Sequence, residues 1–273
     1  ETNQGPGSTR NEGLELASGD YVTLMDHDDW QDPTKYEKMM AKALHHDADF
    51  VVCDAREYRQ EHGKYVRKPW RKHMRDVNPN AVIDLGTWDN KALFVNSFTP
   101  PWAKVMKEQL IRDNRIRFAA DGRLFDDALF SRHLCLLATR AAYVPEVLYT
   151  HRLSSGSISG RFREQGDVAV RDSLRTWRDL EDICHAHRID PRNLFRHVIK
   201  KLARYAYRAE DSDRYIADIA KIIHDLGMRE SDFPEENRVH YRNVMYYSPL
   251  RRRVMRSIRK AKLKLQVLGG RSG

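Results

Sequence analysis

An α/β domain built on a mostly parallel sheet and followed by a helical region is the fold class this sequence predicts. Three observations carry the expectation. Short apolar runs of strand type at residues 21–25 and 49–53 are separated by a stretch of helical pattern. Those runs are continuous rather than alternating, as strands covered on both faces require. From Gln165 to Leu268 the pattern is almost wholly helical, with breaks near Asp190-Pro191, Gly227 and Ser248-Pro249.

Taken in order, residues 8–17 read as a helix that the turn chemistry of Ser18-Gly19-Asp20 ends, and residues 21–25 as the first buried strand. Asp32 caps and Pro33 opens a helix running to about His46, because a carboxylate can accept a first-turn amide and proline has none to satisfy. Residues 49–53 are the second strand. Residues 56–70 are polar, with His62-Gly63 at a hairpin turn, and residues 71–100 are irregular and rich in Asn and Pro. Residues 102–114 and 125–138 read as helices, and 141–150 as a last strand. The character changes after Ser159. The division expected is therefore a domain over 1–160, a helical appendage over 161–247 and a basic tail over 248–273.

A length of 273 residues accommodates one large domain, or a domain with an appendage. No run of about 18 apolar residues occurs and the first residues are polar, so neither a membrane-spanning helix nor a secretory signal is expected, and the chain is placed on the cytoplasmic side. Cys53, Cys135 and Cys184 are odd in number and far apart, which argues against a disulfide framework or a zinc site and for buried thiols in a reducing compartment. The net charge of +9 is concentrated: residues 248–273 hold nine basic residues and no acid, so residues 1–247 are formally neutral. That argues against a nucleic-acid-binding protein. Within the tail, Leu250, Val254, Ile258, Ala261, Leu265 and Leu268 recur at helical spacing among the cations. Such a helix packs on its own domain or lies on an anionic cytoplasmic leaflet.

Two acidic clusters carry chemistry. Asp26-His27-Asp28-Asp29 follows the first strand, and strand ends in an open α/β sheet are where ligands sit. Carboxylates two residues apart on a chain leaving a strand can converge on Mg²⁺ or Mn²⁺, with positions left open for diphosphate oxygens. The bland alternative is an acidic turn before the next helix, although Asp32 already serves that helix. Asp126-Asp127 opens the helix before the last strand. Carboxylates there complement the helix dipole, or one of them accepts a proton from a nucleophilic hydroxyl.

The segments Asn3-Gln4-Gly5-Pro6-Gly7-Ser8-Thr9-Arg10-Asn11-Glu12-Gly13-Leu14, Ala17-Ser18-Gly19-Asp20-Tyr21-Val22 and Leu24-Met25-Asp26-His27-Asp28-Asp29-Trp30 resemble the middle of a family 2 glycosyltransferase. Pro101-Trp102-Ala103-Lys104 resembles that family's acceptor-side W-x-K segment, and Phe118…Asp126-Asp127…Phe130 its base motif. Leu148-Tyr149-Thr150-His151-Arg152 with Gly156-Ser157-Ile158-Ser159 resembles its closing loop. The resemblance covers about residues 1–160 and implies a GT-A-like sheet. The family's opening strands, of pattern V-S-(V/I)-I-(I/V)-P and V-D-D-G-S-x-D, have no counterpart here. A sheet truncated at its N-terminus, with little transferase activity from the chain alone, is therefore expected.

Carried over residue by residue, the resemblance makes Asp26 and Asp28 the metal-site pair, with Asp28 the direct ligand of Mg²⁺ or Mn²⁺ and Asp26 near the ribose. Asp127 becomes the catalytic base. Asn3, Arg10, Asn11, Asp29, His151 and Arg152 fall on the donor side, and Trp102, Lys104 and Asp126 on the acceptor side. The implied reaction is an inverting transfer of a sugar from a nucleotide-diphosphate donor to a hydroxyl of a glycan or lipid-linked acceptor, for cell-surface polysaccharide or glycolipid synthesis. The implied location is peripheral, at the inner face of the plasma membrane. Two rivals stand beside it: an inactive fragment or basic module that binds membranes or polyanions through the tail, and a nucleotidyltransferase. The last would want two shared metals and a basic phosphate cradle, neither of which the sequence shows.

Overall fold

The computed structural model describes residues 4–61, 64–67, 74, 77–96, 100–153 and 166–246. The chain forms two compact units, residues 1–163 with 175–190, and residues 164–174 with 191–273.

The first unit begins with helix α1 (Pro6–Leu16), which Pro6 opens after Gly5 at φ 82. Strand β1 (Tyr21–Thr23) leads into the acidic loop, which runs into the two-residue strand β2 (Trp30–Gln31). Helix α2 (Lys35–His46) follows, two residues later than the sequence suggests. Its N-cap is Thr34 rather than Asp32; the Asp32 carboxylate instead accepts from the Thr34 amide at 2.9 Å and hydroxyl at 2.7 Å. Strand β3 (Phe50–Glu61) pairs antiparallel with β4 (Lys64–Arg67), while His62 and Gly63 between them lie outside the described residues.

Residues 71–100 are less irregular than expected. They contain strand β5 (Ile83–Asp84) and helix α3 (Trp88–Asn96). The helix expected over 102–114 is also corrected. A 3₁₀ turn at Pro101–Ala103 gives way to strand β6 (Lys104–Lys107), and only then does helix α4 (Glu108–Asp113) begin. Lys104, Val105 and Met106 are buried in succession because β6 is hydrogen-bonded between β1 and β3; a surface helix would bury only one stripe. Helix α5 (Asp126–Leu137) and strand β7 (Arg140–Leu153) complete the sheet.

The strand order is β1-β6-β3-β7-β2, with β4 on β3 and β5 on β7. The α/β class holds, but the sheet is mixed. Of the described pairings only β3 with β7 is parallel. Continuous apolar runs report cover on both faces, which a mixed sheet between helices also needs, and so do not report strand direction. On one face Met39 and Ala43 of α2 pack with Val51, Cys53, Val105, Ala142 and Val144. Elsewhere in the unit Phe50 meets Phe94 of α3 edge-on at 5.0 Å. The β3–β7 register shifts around Cys53, Asp54 and Ala55, opposite Pro145, whose missing amide cannot extend a ladder. Cys53, Cys135 and Cys184 are buried free thiols.

Helix α6 (Gly166–Ala186) spans residues assigned to both units. The second unit adds α7 (Pro191–Ala206), α8 (Ser212–Asp225) and α9 (Glu235–Met245). Leu194, Phe195, Val198, Ile199 and Leu202 of α7 are buried at helical spacing. Gly227, at φ 62, follows the end of α8 in the left-handed conformation that glycine adopts without strain. The tail of residues 248–273 lies outside the described residues. Among the described residues no helix is long and apolar enough to cross a membrane.

Candidate active site

The acidic loop is placed by the strands at its two ends. β1 is held against β6, with the Thr23 hydroxyl donating to the Lys104 carbonyl at 2.8 Å. β2 pairs with the end of β7, Trp30 opposite Thr150 and Gln31 opposite Tyr149. This pairing carries Asp29 to the residues after Thr150. Its Oδ1 accepts from the Arg152 amide at 2.8 Å, and its Oδ2 from the Tyr149 hydroxyl at 2.7 Å. Asp29 is only 6% exposed, and burial lifts its pKa above the usual carboxylate range, opposed by those hydrogen bonds.

Asp26, Asp29 and His151 each bring one ligand atom to a common point, all within 4.8 Å of one another. Two carboxylates and one imidazole fit a divalent cation; the oxygens suit Mg²⁺ or Mn²⁺, and the nitrogen donor shifts the set toward the transition metal. Asp28 is not in this group. Its Oδ2 faces Arg152 Nη2 at 3.5 Å, and His27 points to solvent.

Arg10 of α1 links the acidic loop to the other acidic cluster. Its guanidinium donates to Asp26 Oδ1 at 2.9 Å and to Asp126 Oδ2 at 2.8 Å, and lies over the Phe118 ring at 5.4 Å. Only a planar fork of donors can hold two carboxylates in this way. Helix α1 is fixed beneath it by a close approach: a Cβ on Gly7 would lie 2.0 Å from the Ala119 carbonyl oxygen. Asn11, expected on the donor side, spends both ends of its amide on the Phe118 backbone, each at 2.9 Å. It secures α1 to the segment leading into α5.

That segment ends at Phe125, whose φ of 71 is unusual for a residue with a side chain, so Asp126 and Asp127 start α5 abruptly. Asp127 is within electrostatic reach of both Arg10 and Lys104. Lys104 is 2% exposed, and its ammonium donates to the Pro100 carbonyl at 3.2 Å and the Ser131 hydroxyl at 3.3 Å. Burial pushes Lys104 down to about 7, with Asp127 opposing. Trp102 stacks on Tyr149 at 4.2 Å and on His151 at 5.3 Å.

The structure thus gathers Asp26, Asp29, His151 and Arg152 around one loop and joins Asp126 to them through Arg10. Asn3 and the Gly156–Ser159 segment lie outside the described residues. Sequence reasoning passed over Tyr149 and Lys35. Tyr149 stands inside the quoted closing motif, two residues before His151; Lys35 gave no signal beyond being a lysine in the first turn of a helix.

Residues 1–99 match the family model for glycosyl transferase family 2. The uncharacterized glycosyltransferase YibD of Escherichia coli K12 is 31% identical over 169 residues, covering 61% of this chain and 47% of YibD. Over residues 1–99, then, the chain is similar to glycosyltransferase family 2. Glycosyltransferase GlyA of Streptococcus pneumoniae is 27% identical over 173 residues, 63% of this chain and 24% of GlyA. The chain spans about half the length or less of these relatives. A structure of S. aureus TarS 1–349 in complex with UDP-GlcNAc matches with a TM-score of 0.53 and 17% identity, covering 88% of this chain and 71% of that one. At that identity the likeness is one of fold, and the fold is GT-A-like.

Proposed function

We propose that this domain transfers a sugar, with inversion, from a nucleoside-diphosphate donor to a hydroxyl of a glycan or lipid-linked acceptor, in the synthesis of cell-surface polysaccharide or glycolipid. The observation that carries the reading is the junction made by Arg10, which holds the loop of Asp26 and Asp29 to the helix start of Asp126 and Asp127 through bonds of 2.9 and 2.8 Å. A cation site and a candidate base are thereby held in one piece. Similarity to the family 2 model and the nucleotide-sugar complex of the TarS structure support a donor of this class.

In this reading Asp26, Asp29 and His151 hold Mn²⁺ or Mg²⁺, and Asp28 joins them by exchanging its 3.5 Å contact with Arg152. The ion supplies positive charge against the diphosphate that leaves. Arg152 faces the same phosphates. Asp127 takes the proton of the acceptor hydroxyl as its oxygen bonds to the anomeric carbon and the bond from that carbon to the phosphate oxygen breaks. Trp102 and Lys104 line the acceptor side. We assign residues 161–247 as a helical appendage, and the cations of 248–273 to contact with an anionic inner leaflet. A nucleotidyltransferase is less well supported: among the described residues a single acidic cluster able to hold a metal is found, not a two-metal site.

Asp127→Asn, made in a form of the protein that also carries the family's opening strands, tests the base. Turnover is expected to fall about 10²–10⁴-fold while donor and metal still bind. Turnover near that of the parent would remove Asp127 from the role.

A further inference from the structure

We propose that Tyr149 is a positioning residue of the cation site, holding two of its acidic ligands in register from behind. The proposal rests on the metal reading above and adds to it a residue that touches neither metal nor substrate. One hydroxyl joins two ligands. It donates to the Asp29 carboxylate at 2.7 Å and accepts from the backbone amide of Asp26 at 3.1 Å. A buried tyrosine needs only one partner to satisfy its hydroxyl. Here the second partner is the main chain at the other acidic ligand, so one oxygen sets both ends of the loop.

The ring that carries this hydroxyl cannot drift. Tyr149 is 1% exposed. Trp102 stacks on it with planes 14° apart and also covers His151, the third member of the cluster. The Lys35 ammonium lies 4.9 Å from the ring centroid and donates to the Trp102 carbonyl at 2.8 Å, tying the two aromatic residues together. Lys35, Trp102 and Tyr149 thus form a brace that reaches all three ligands. Groups that orient ligands from outside the first coordination shell commonly set metal affinity as strongly as this arrangement suggests.

The same strand supplies a control. Tyr143 makes an equally short, buried bond to Asp54, at 2.6 Å, away from the acidic loop. Mn²⁺ binding to the 273-residue chain, read from the electron paramagnetic resonance of free Mn²⁺, distinguishes the cases. Tyr149→Phe is expected to weaken binding about 10–100-fold, and Tyr143→Phe to leave it unchanged, although it too loses a buried hydrogen bond to a carboxylate. Parent-like affinity in Tyr149→Phe, or equal weakening in Tyr143→Phe, would overturn the brace while leaving the metal reading intact. No Mn²⁺ binding by the parent would overturn the metal reading and the brace together. Urea titration checks that each variant is folded. If Tyr149→Phe is not, Lys35→Met carries the test: weaker Mn²⁺ binding is expected, and parent-like affinity would overturn the brace.

Discussion

Lys104→Met removes a buried ammonium from beside Asp127, and its effect on stability must depend on pH. Lys104 has a folded pKa of about 7 against 10.5 unfolded. Between those values the folded state binds fewer protons than the unfolded chain, so stability rises with pH across that window. The burial penalty is complete below pH 7 and fades as pH approaches the unfolded value. Two-state proton linkage puts the full penalty at about 5 kcal/mol, of which about 2 kcal/mol is relieved between pH 7 and pH 9. Methionine also gives up the hydrogen bonds that the ammonium donates to the Pro100 carbonyl and the Ser131 hydroxyl, a cost of about 1–3 kcal/mol that does not vary with pH. The readout is therefore the slope, not the offset. The tryptophans among the described residues, at 30, 88, 102 and 177, belong to the first unit, so urea unfolding followed by tryptophan fluorescence reports on the unit that contains Lys104. The advantage of the parent over Lys104→Met is expected to grow by about 2 kcal/mol from pH 7 to pH 9. Parallel pH profiles for the two proteins would refute the reasoning.

Gly7→Ala forces a Cβ to within 2.0 Å of the Ala119 carbonyl, so α1 must move, at about 1–3 kcal/mol, and Arg10 with it. The same urea titration is expected to show that loss, and an unchanged midpoint would mean that α1 is not held there. For the tail, co-sedimentation with vesicles containing anionic lipid is expected to bring down the full chain, less so in high salt, and not a chain ending at Tyr247; equal binding by both would assign the nine cations of residues 248–273 another task.

Much of the site was legible in sequence because its chemistry is written in short runs. An apolar strand that ends in four residues of which three are acids announces the loop at Asp26, and the paired acids at Asp126 announce the helix start. What the runs could not show is convergence. Asp29 and His151 are brought together by the pairing of β2 with β7, and β2 is a two-residue strand, too short for any periodicity to reveal. The strand at 104–107 was hidden for a related reason. Trp102, Val105 and Met106 fit a helical stripe as well as they fit a strand, and only the neighbours β1 and β3 decide between them. The role of Asn11 was likewise invisible, since an amide that clamps a distant backbone looks in sequence like one that faces a ligand.

The most direct test of the central claim is proton NMR of nucleoside-diphosphate sugars incubated with Mn²⁺ and a form of the protein that also carries the family's opening strands. Metal-dependent release of the nucleoside diphosphate and a sugar product of inverted anomeric configuration are expected, with both lost in Asp26→Asn/Asp29→Asn. Donor cleavage that proceeds equally well in chelator, or a product of retained configuration, would contradict that claim.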